Sequence, residues 1–298
     1  MADKLFHGVL TALVTPMSDD GRVDDDALVE LVEDQIRAGI HGLVPCGTTG
    51  EATTLSHTEH IHVVEVVTRA TRGRVPVLAG AGSNSTHEAI ELTRACKELG
   101  VDGTLQVVPY YNKPPQAGLI RHFSAIADAV ALPVVLYNVP GRTGADLLPE
   151  TVGALARHPH IVGIKEATGD MHRAVQVREH CGEDFCLLSG DDFTMLPFFA
   201  VGGDGVISVV SNPAPKLISD LFEAFAAGDL AKARDLHYRQ LPLTRLLFAD
   251  ANPIPAKAAM HLLGRCTATV RSPLVTLEPQ SELSGKLGAA LRELGLLA

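Results

Sequence analysis

The chain has 298 residues, which is near the upper limit for one hydrophobic core, so it can form a single domain of α/β-barrel size or two smaller domains. Its formal net charge of −10 argues against nucleic acid and anionic membrane surfaces as partners. No stretch approaches the roughly 20 apolar residues that a membrane span needs, the first eight residues lack the pattern of an export signal, and the five cysteines are scattered without a Cys-x-x-Cys pair. These features predict a cytoplasmic protein with reduced thiols.

Short apolar runs alternate with helical patterns over the first 210 residues. The predicted strands are residues 8–16, 42–46, 75–81, 103–108, 133–137, 160–165, 185–189 and 205–210. Helices are predicted at 24–38, after 56–59, and at 85–100, 119–130, 149–157, 171–179 and 193–201. Ser56 to Glu59 and Ser85 to Glu88 have the Ser-x-x-Glu form of a capping box.

Strand and helix alternate eight times at a spacing of roughly 20 to 35 residues, which is typical of a closed (β/α)₈ TIM barrel. A doubly wound open sheet is the alternative, but it usually has fewer units, and no Gly-x-Gly-x-x-Gly follows a strand. From residue 215 onward the pattern is helical only, at 217–226, 230–247, 254–263 and 282–296. We therefore predict a catalytic barrel over residues 1–214 and a C-terminal helical extension over 215–298.

In such a barrel the chemistry lies at the carboxyl ends of the strands, so polar residues there are informative. The apolar run at 161–164 ends at Lys165, where burial can lower the amine pKa and allow attack on a carbonyl. Taken alone, this run fits equally a strand with a lysine at its solvent end. Thr48 and Thr49, flanked by glycines, could hold a carboxylate with hydroxyls and backbone N–H groups, or could simply form a turn.

Aromatic and basic residues follow strands four and five. Tyr110 and Tyr111 lie in a proline-bounded loop, which could serve proton transfer or interface packing. Tyr137 ends strand five and precedes Arg142 on a glycine- and proline-rich turn; alone, the first resembles a core tyrosine and the second a surface charge. A lysine aldolase needs a desolvated amine, a carboxylate pocket and a proton-transferring phenol, and Lys165, the two threonines and Tyr137 supply all three.

Several long motifs resemble one known family. They are GLVPCGTTGEATTLSHTE at 42–59, PYYNKP at 109–114, YNVPGRTG at 137–144, GIKEATGD at 163–170 and NPIPAK at 252–257. Together they resemble the dihydrodipicolinate synthase and N-acetylneuraminate lyase superfamily over essentially the whole chain.

The resemblance implies a role for each matching residue in one catalytic site. Lys165 would form a Schiff base with pyruvate, whose carboxylate Thr48 and Thr49 would hold. Thr49, Tyr137 and Tyr111 would form a relay of hydroxyls for protons. Tyr111 would reach into the neighbouring subunit's site within a homotetramer built as a dimer of dimers.

The same resemblance implies the second substrate and the rest of the pocket. Arg142 would bind the carboxylate of aspartate semialdehyde, and the backbones of Gly190 and Ile207 would line the pyruvate pocket, with no metal or organic cofactor. The reaction would be the first committed step of diaminopimelate and lysine biosynthesis. Two alternatives stay open: a pyruvate-dependent aldolase acting on a sugar acid, such as N-acetylneuraminate lyase, and a barrel that senses keto acids or lysine without turnover. The Arg142 turn favours the synthase branch, because a guanidinium grips a carboxylate with two prongs. Asp191 and Asp192 have no predicted role beyond capping a helix.

A second set of residues matches the position at which feedback-inhibited family members bind L-lysine. The residues implied are His57, His60, Asn84, Glu88, Tyr110, Ala52 and Thr53. Some inhibited members have serine where this chain has Ala52. Glu88 is otherwise explained as part of a capping box, and His57 with His60 as a solvated first helical turn, while a metal pair is a more distant interpretation.

Overall fold

The computed structural model describes residues 4–297, so the predictions for the extreme ends of the chain lie outside the described residues. The eight strands are β1 (Gly8–Ala12), β2 (Gly42–Val44), β3 (Leu78–Gly80), β4 (Gly103–Val107), β5 (Val134–Asn138), β6 (Ile161–Glu166), β7 (Cys186–Ser189) and β8 (Gly205–Ser208). The helices between them are α1 (Asp25–Arg37), α2 (His57–Thr71), α3 (Thr86–Glu98), α4 (Gln116–Ala129), α5 (Pro140–Thr143), α6 (Pro149–Leu155), α7 (Met171–Cys181) and α8 (Met195–Ala200).

All strand pairs are parallel and follow the order β2-β1-β8-β7-β6-β5-β4-β3. A parallel bridge between Leu43 and Val77 joins the two ends of this series. There the Leu43 N–H donates to the Pro76 carbonyl at 3.0 Å, and the Gly80 N–H donates to the Pro45 carbonyl at 2.9 Å. The sheet therefore closes on itself, and the predicted (β/α)₈ barrel is confirmed.

Two layers of apolar side chains hold the barrel together. One face of each strand points inward, where Leu10, Val44, Leu78, Leu105 and Leu188 pack in a closed inner cluster. The other face packs against the surrounding helices, as the helical periodicity predicts. In α1, for example, Leu28, Leu31 and Val32 are buried on one face.

Four helices follow the last strand: α9 (Pro215–Ala226), α10 (Leu230–Leu247), α11 (Ile254–Leu262) and α12 (Glu282–Glu293). Their buried side chains, among them Ile218, Leu243, Met260 and Leu287, belong to the same apolar cluster as Val9 of the barrel. The helical extension therefore packs directly on the barrel. No helix within residues 4–297 combines the length and apolar character that crossing a membrane demands.

Some local predictions are corrected. The first strand ends at Ala12 and not at residue 16, β6 runs one residue past Lys165, and residues 140–143 form one helical turn. The capping box at Ser56 is confirmed, since its N–H donates to Glu59 Oε2 at 2.9 Å and its hydroxyl accepts from the Glu59 N–H.

The second predicted capping box is only half formed. Ser85 accepts a hydrogen bond from the Glu88 N–H, but the Ser85 N–H donates to Ser83 Oγ at 3.1 Å. The Glu88 carboxylate instead contacts the Ser83 hydroxyl and His57. Tertiary partners therefore outcompete the local cap.

Candidate active site

A cavity of about 200 Å³ opens at the carboxyl ends of the barrel strands. Its polar lining comes from most of the predicted catalytic and substrate-binding residues, together with two that were not assigned to the site. These are Thr48, Thr49, Tyr137, Arg142, Lys165, Asp191 and Asn252. The remaining wall is apolar and includes Ala12, Val44, Leu105 and Phe248. Polar groups that converge in a mostly apolar cavity are the usual arrangement of a small-molecule site.

Lys165 reaches this cavity from β6 and is only 6% exposed. Its register partner on β5 is Tyr137, and the Lys165 Nζ lies 4.4 Å from the centroid of the tyrosine ring. Within residues 4–297 no carboxylate lies within 4 Å of this nitrogen. The amine is therefore buried, unpaired with an acid and next to a phenol, which suits attack on a carbonyl carbon.

A glycine makes room for the lysine side chain. A Cβ at Gly190 would lie 2.9 Å from Lys165 Cε and 2.6 Å from Ala167 Cβ, closer than carbon atoms pack. Gly190 lines the cavity. Ile207 is fully buried in the inner cluster of the barrel and is not among the residues that line the cavity.

The loop after β2 carries Thr48 and Thr49. It is a tight turn in which the Gly50 N–H donates to the Gly47 carbonyl at 3.1 Å and the Glu51 N–H to the Thr48 carbonyl at 3.2 Å. Glu51 has a φ of +56°, a conformation uncommon for residues other than glycine. The turn aims both threonines at the cavity where Lys165 ends.

Asn252 is a site residue that sequence reasoning missed. It lies between α10 and α11, is buried, and its Nδ2 donates to Thr49 Oγ1 at 2.9 Å. The NPIPAK motif marked its position as part of the family resemblance, but nothing in its local pattern indicates contact with a loop 203 residues away.

Arg142 and Tyr111 lie toward the outside. Arg142 sits on α5 at the rim of the cavity, with its side chain exposed. Tyr111 is 89% exposed, has a φ of +70°, and does not line the cavity of its own chain. Of the four predicted catalytic residues, the fold therefore brings together Lys165, Tyr137 and Thr49, and leaves Tyr111 on the surface.

Two acids after β7 have structural contacts. Asp191 lines the cavity and accepts from the Thr194 hydroxyl at 2.6 Å. Asp192 is buried beneath it and accepts from the Ser208 hydroxyl at 2.5 Å and from the Val209 N–H at 2.9 Å. Burial raises the pKa of Asp192 to about 6. Asp192 thus ties the start of the β7–α8 connection to the end of β8.

Cys46 lies directly before the threonine loop but does not offer a nucleophile. It is buried, and burial raises the pKa of its thiol well above the usual value. A thiol that stays protonated does not attack carbonyls. The loop chemistry therefore rests on the threonines.

Most of the residues predicted for a lysine site form one surface cluster. His57 Nε2 lies 2.7 Å from Glu88 Oε1, and Asn84 Nδ2 donates to the Tyr110 carbonyl at 3.2 Å. The hydrogen bond from the Ser83 hydroxyl, followed by that from His57, lowers the pKa of Glu88, so the cluster presents a carboxylate.

His60 faces inward, and the interpretation of both histidines as a solvated turn is wrong for it. Its Nε2 lies 2.7 Å from the Gly80 carbonyl, and burial lowers its pKa. Ala52 and Thr53 lie in the turn before α2, where Ala52 packs against the core. No group of three metal-ligating side chains converges anywhere in residues 4–297.

The chain is similar to known proteins over almost its whole length. The model of the dihydrodipicolinate synthetase family matches residues 5–293. A 4-hydroxy-tetrahydrodipicolinate synthase from Geobacter sp. (strain M21) is 54% identical over 293 residues, which covers 98% of this chain and 100% of that protein.

Two solved structures show how far the likeness extends in three dimensions. The chloride-inhibited dihydrodipicolinate synthase from Acinetobacter baumannii, complexed with pyruvate, is 46% identical with a TM-score of 0.95 and covers 98% of this chain and 99% of that chain. DHDPS from Cyanidioschyzon merolae with lysine bound is 44% identical with a TM-score of 0.95, covering 99% of this chain and 100% of that one. Together with the family match over residues 5–293, this confirms the resemblance drawn from the motifs: the chain belongs to the dihydrodipicolinate synthetase family.

Proposed function

We propose that this protein is a 4-hydroxy-tetrahydrodipicolinate synthase, a Schiff-base lyase that condenses pyruvate with L-aspartate 4-semialdehyde. The observation that carries the proposal is the buried Lys165 amine, which shares a cavity of about 200 Å³ with Thr48, Thr49 and Tyr137. Family membership and the name of the 54% identical Geobacter relative support the same activity.

The first half of the reaction uses the inner part of the cavity. Thr48 and Thr49 hold the pyruvate carboxylate, so that the ketone carbon faces the Lys165 nitrogen. The Lys165 amine, once deprotonated, adds to this carbon, and the resulting carbinolamine loses water to form an imine. Tyr137 can supply the proton that the leaving hydroxyl needs, because its ring lies beside the amine. Thr49 and Tyr111 complete a relay that exchanges protons with solvent.

The second half forms the carbon-carbon bond. Loss of a methyl proton converts the imine into an enamine, whose terminal carbon attacks the aldehyde carbon of the second substrate. Arg142 at the cavity rim binds the carboxylate of that substrate through two parallel hydrogen bonds. The amino group of the second substrate then replaces Lys165 at the imine carbon, which closes the ring and frees the enzyme. None of these steps calls on a metal or an organic cofactor, and we assign the reaction to cytoplasmic lysine and diaminopimelate biosynthesis.

Trapping of the imine tests the proposal. Incubation with pyruvate and borohydride should add a reduced pyruvate unit to the chain, and peptide mass spectrometry should locate it on Lys165. K165R keeps the positive charge but should give no adduct. K257R changes a second buried lysine in the same way and is the matched control, which should still give the adduct on Lys165. An unmodified Lys165 in the wild-type protein would refute the mechanism. Activity only with N-acetylmannosamine or a sugar aldehyde would indicate a sugar-acid aldolase.

We also propose that the active protein is a homotetramer assembled from two dimers. The support is Tyr111, whose aromatic side chain is exposed and whose backbone φ is positive. Its N–H donates a hydrogen bond to the Thr143 carbonyl at 3.4 Å. A relay residue that points away from its own cavity can serve the site of a neighbouring subunit. Two incomplete chains would then complement each other at a shared interface.

Feedback inhibition by L-lysine is a further part of the proposal. The cluster of His57, Asn84, Glu88 and Tyr110 offers a carboxylate for the ligand's ammonium groups and adjoins the loop that carries Tyr111. The lysine-bound structure of the Cyanidioschyzon merolae relative supports this. L-lysine at millimolar concentration should lower the initial rate of the wild-type protein. E88A should escape inhibition, whereas E91A, an exposed acid on the same helix, should not. Unchanged wild-type kinetics would exclude the regulation.

Finally, we propose the division of labour between the two parts of the chain. Residues 1–214 form the catalytic barrel and residues 215–298 a helical extension that steadies it. The support is a buried ion pair in which Lys257 Nζ lies 2.8 Å from Glu51 Oε1, next to the threonine loop. Arg271 strengthens the link, since its N–H donates to Glu51 Oε2 at 2.9 Å.

A further inference from the structure

Only one of the two polar atoms of the Asn252 side chain makes a hydrogen bond in the site. Its Nδ2 donates to Thr49 Oγ1 at 2.9 Å, and both side chains are buried. Its Oδ1 is also buried but has no hydrogen-bond partner within residues 4–297. A buried polar group that leaves one of its atoms unpaired is unfavourable for stability, so its presence calls for another explanation. The explanation is the hydrogen bond from Asn252 to the Thr49 hydroxyl.

The hydrogen bond donated by the Asn252 amide limits the directions in which the Thr49 hydroxyl can point its hydrogen. An amide nitrogen can only donate, whereas a hydroxyl has one hydrogen and two lone pairs. Because Thr49 accepts from Asn252, its own hydrogen is free to point to another acceptor. The reverse orientation of the amide would leave two buried N–H donors without partners, which is rarer in proteins than an unpaired carbonyl oxygen.

Helix α11 holds the amide in place. Asn252 lies two residues before the start of this helix, and Lys257 within it forms the buried ion pair with Glu51. Glu51 lies two residues after Thr49 in the same tight turn. The helix is therefore fastened to the threonine loop at two points, which keeps Nδ2 within bonding distance of Oγ1.

We propose that Asn252 is a positioning residue that sets the direction of the proton relay. By donating to Thr49, it makes the threonine a hydrogen-bond donor toward the cavity that it shares with Tyr137. In this role Asn252 acts through the Thr49 hydroxyl and not on the substrate itself. The inference rests on the proposed function, because a directional hydroxyl matters only if Thr49 relays protons.

Two variants separate a directional role from a packing role. N252D has nearly the same shape, but its ionised carboxylate can only accept, so the Thr49 hydrogen turns away from the cavity. N252L removes the donor without supplying an acceptor. If the direction of the Thr49 hydrogen matters, kcat of N252D at pH 9 should fall about 100-fold or more below that of the wild type, which is within the range expected for proton-transfer groups. The loss of kcat in N252L should be smaller.

The pH dependence gives a second signature. Burial should raise the pKa of the introduced carboxyl, and its protonated form again carries a donor hydrogen for Thr49. The ratio of kcat for N252D to kcat for wild type should therefore rise as pH falls from 9 to 6, while the ratio for N252L should stay flat. A packing role predicts the opposite order, with N252L the more damaged variant and both ratios constant.

Borohydride trapping of the wild type separates a failure of the proposed function from a failure of the Asn252 role alone. If pyruvate gives no adduct on wild-type Lys165, the proposed function fails and the relay inference fails with it. If the wild type is trapped and turns over, but N252D is as active as N252L with a flat pH ratio, the directional role of Asn252 alone is refuted.

Discussion

Replacement of Lys257 by methionine should destabilise the protein strongly. Lys257 is fully buried, its Nζ lies 2.8 Å from Glu51 Oε1, and the glutamate side chain is 1% exposed. Burial, acting against the attraction of Glu51, lowers the pKa of Lys257. K257M leaves the Glu51 carboxylate buried with the Arg271 N–H at 2.9 Å as its remaining partner among residues 4–297.

The size of the effect follows from the uncompensated charge. Removing one partner of a buried ion pair typically costs about 3–5 kcal/mol. At roughly 2 °C per kcal/mol for a chain of this size, Tm should fall by about 6–10 °C. The double variant K257M/E51Q removes both charges while keeping an oxygen for the Arg271 N–H. It should therefore recover much of the loss.

Differential scanning calorimetry at one fixed protein concentration measures these changes, since assembly makes Tm depend on concentration. The matched control is K286M, because Lys286 pairs with Glu282 on the exposed face of α12 at 2.6 Å. An exposed pair contributes at most about 1 kcal/mol. If K257M lowers Tm no more than K286M, or if the double variant is as unstable as the sum of the single ones, the ion pair does not act as described.

Three further predictions concern charge, thiol reactivity and assembly. Burial raises the pKa of Asp192 from 3.8 to about 6, so wild-type stability should fall relative to D192N by about 2 kcal/mol as pH rises from 4 to 7; equal pH profiles in calorimetry would contradict this. Cys46, whose pKa is raised by burial, should resist iodoacetamide at pH 8 until the protein is denatured, and mass spectrometry of the native protein detects any alkylation. Mixing inactive Y111F and K165A subunits should restore about a quarter of wild-type activity, because half of the random dimers contain one complete site of two; no recovery after confirmed subunit exchange would place Tyr111 outside the partner's site.

Local sequence patterns were sufficient for the architecture. Short apolar runs mark strands that are buried on both faces, and helical stripes mark helices that are buried on one face, so the eight strands could be located within a few residues. The barrel geometry brings the carboxyl ends of all strands to one side, so the sequence predicts that Lys165, Tyr137 and the two threonines share one site.

Other features depended on contacts that no local pattern encodes. Ser56 to Glu59 and Ser85 to Glu88 have the same capping pattern, but only the first forms the full box, because Ser83 and His57 capture the Glu88 carboxylate. Competition between a local cap and a tertiary partner is decided by geometry across two helices.

The contacts that hold the site together join residues that are far apart in the sequence. Asn252 and Thr49 are 203 residues apart, and Lys257 and Glu51 are 206 apart. The sequence by itself determined the elements, their order and the side chains at the strand ends, since these follow from hydrophobic burial within short segments. Only the tertiary structure decided which helix meets the threonine loop, because hydrogen bonds and ion pairs require atoms from distant segments to lie within about 3 Å of one another.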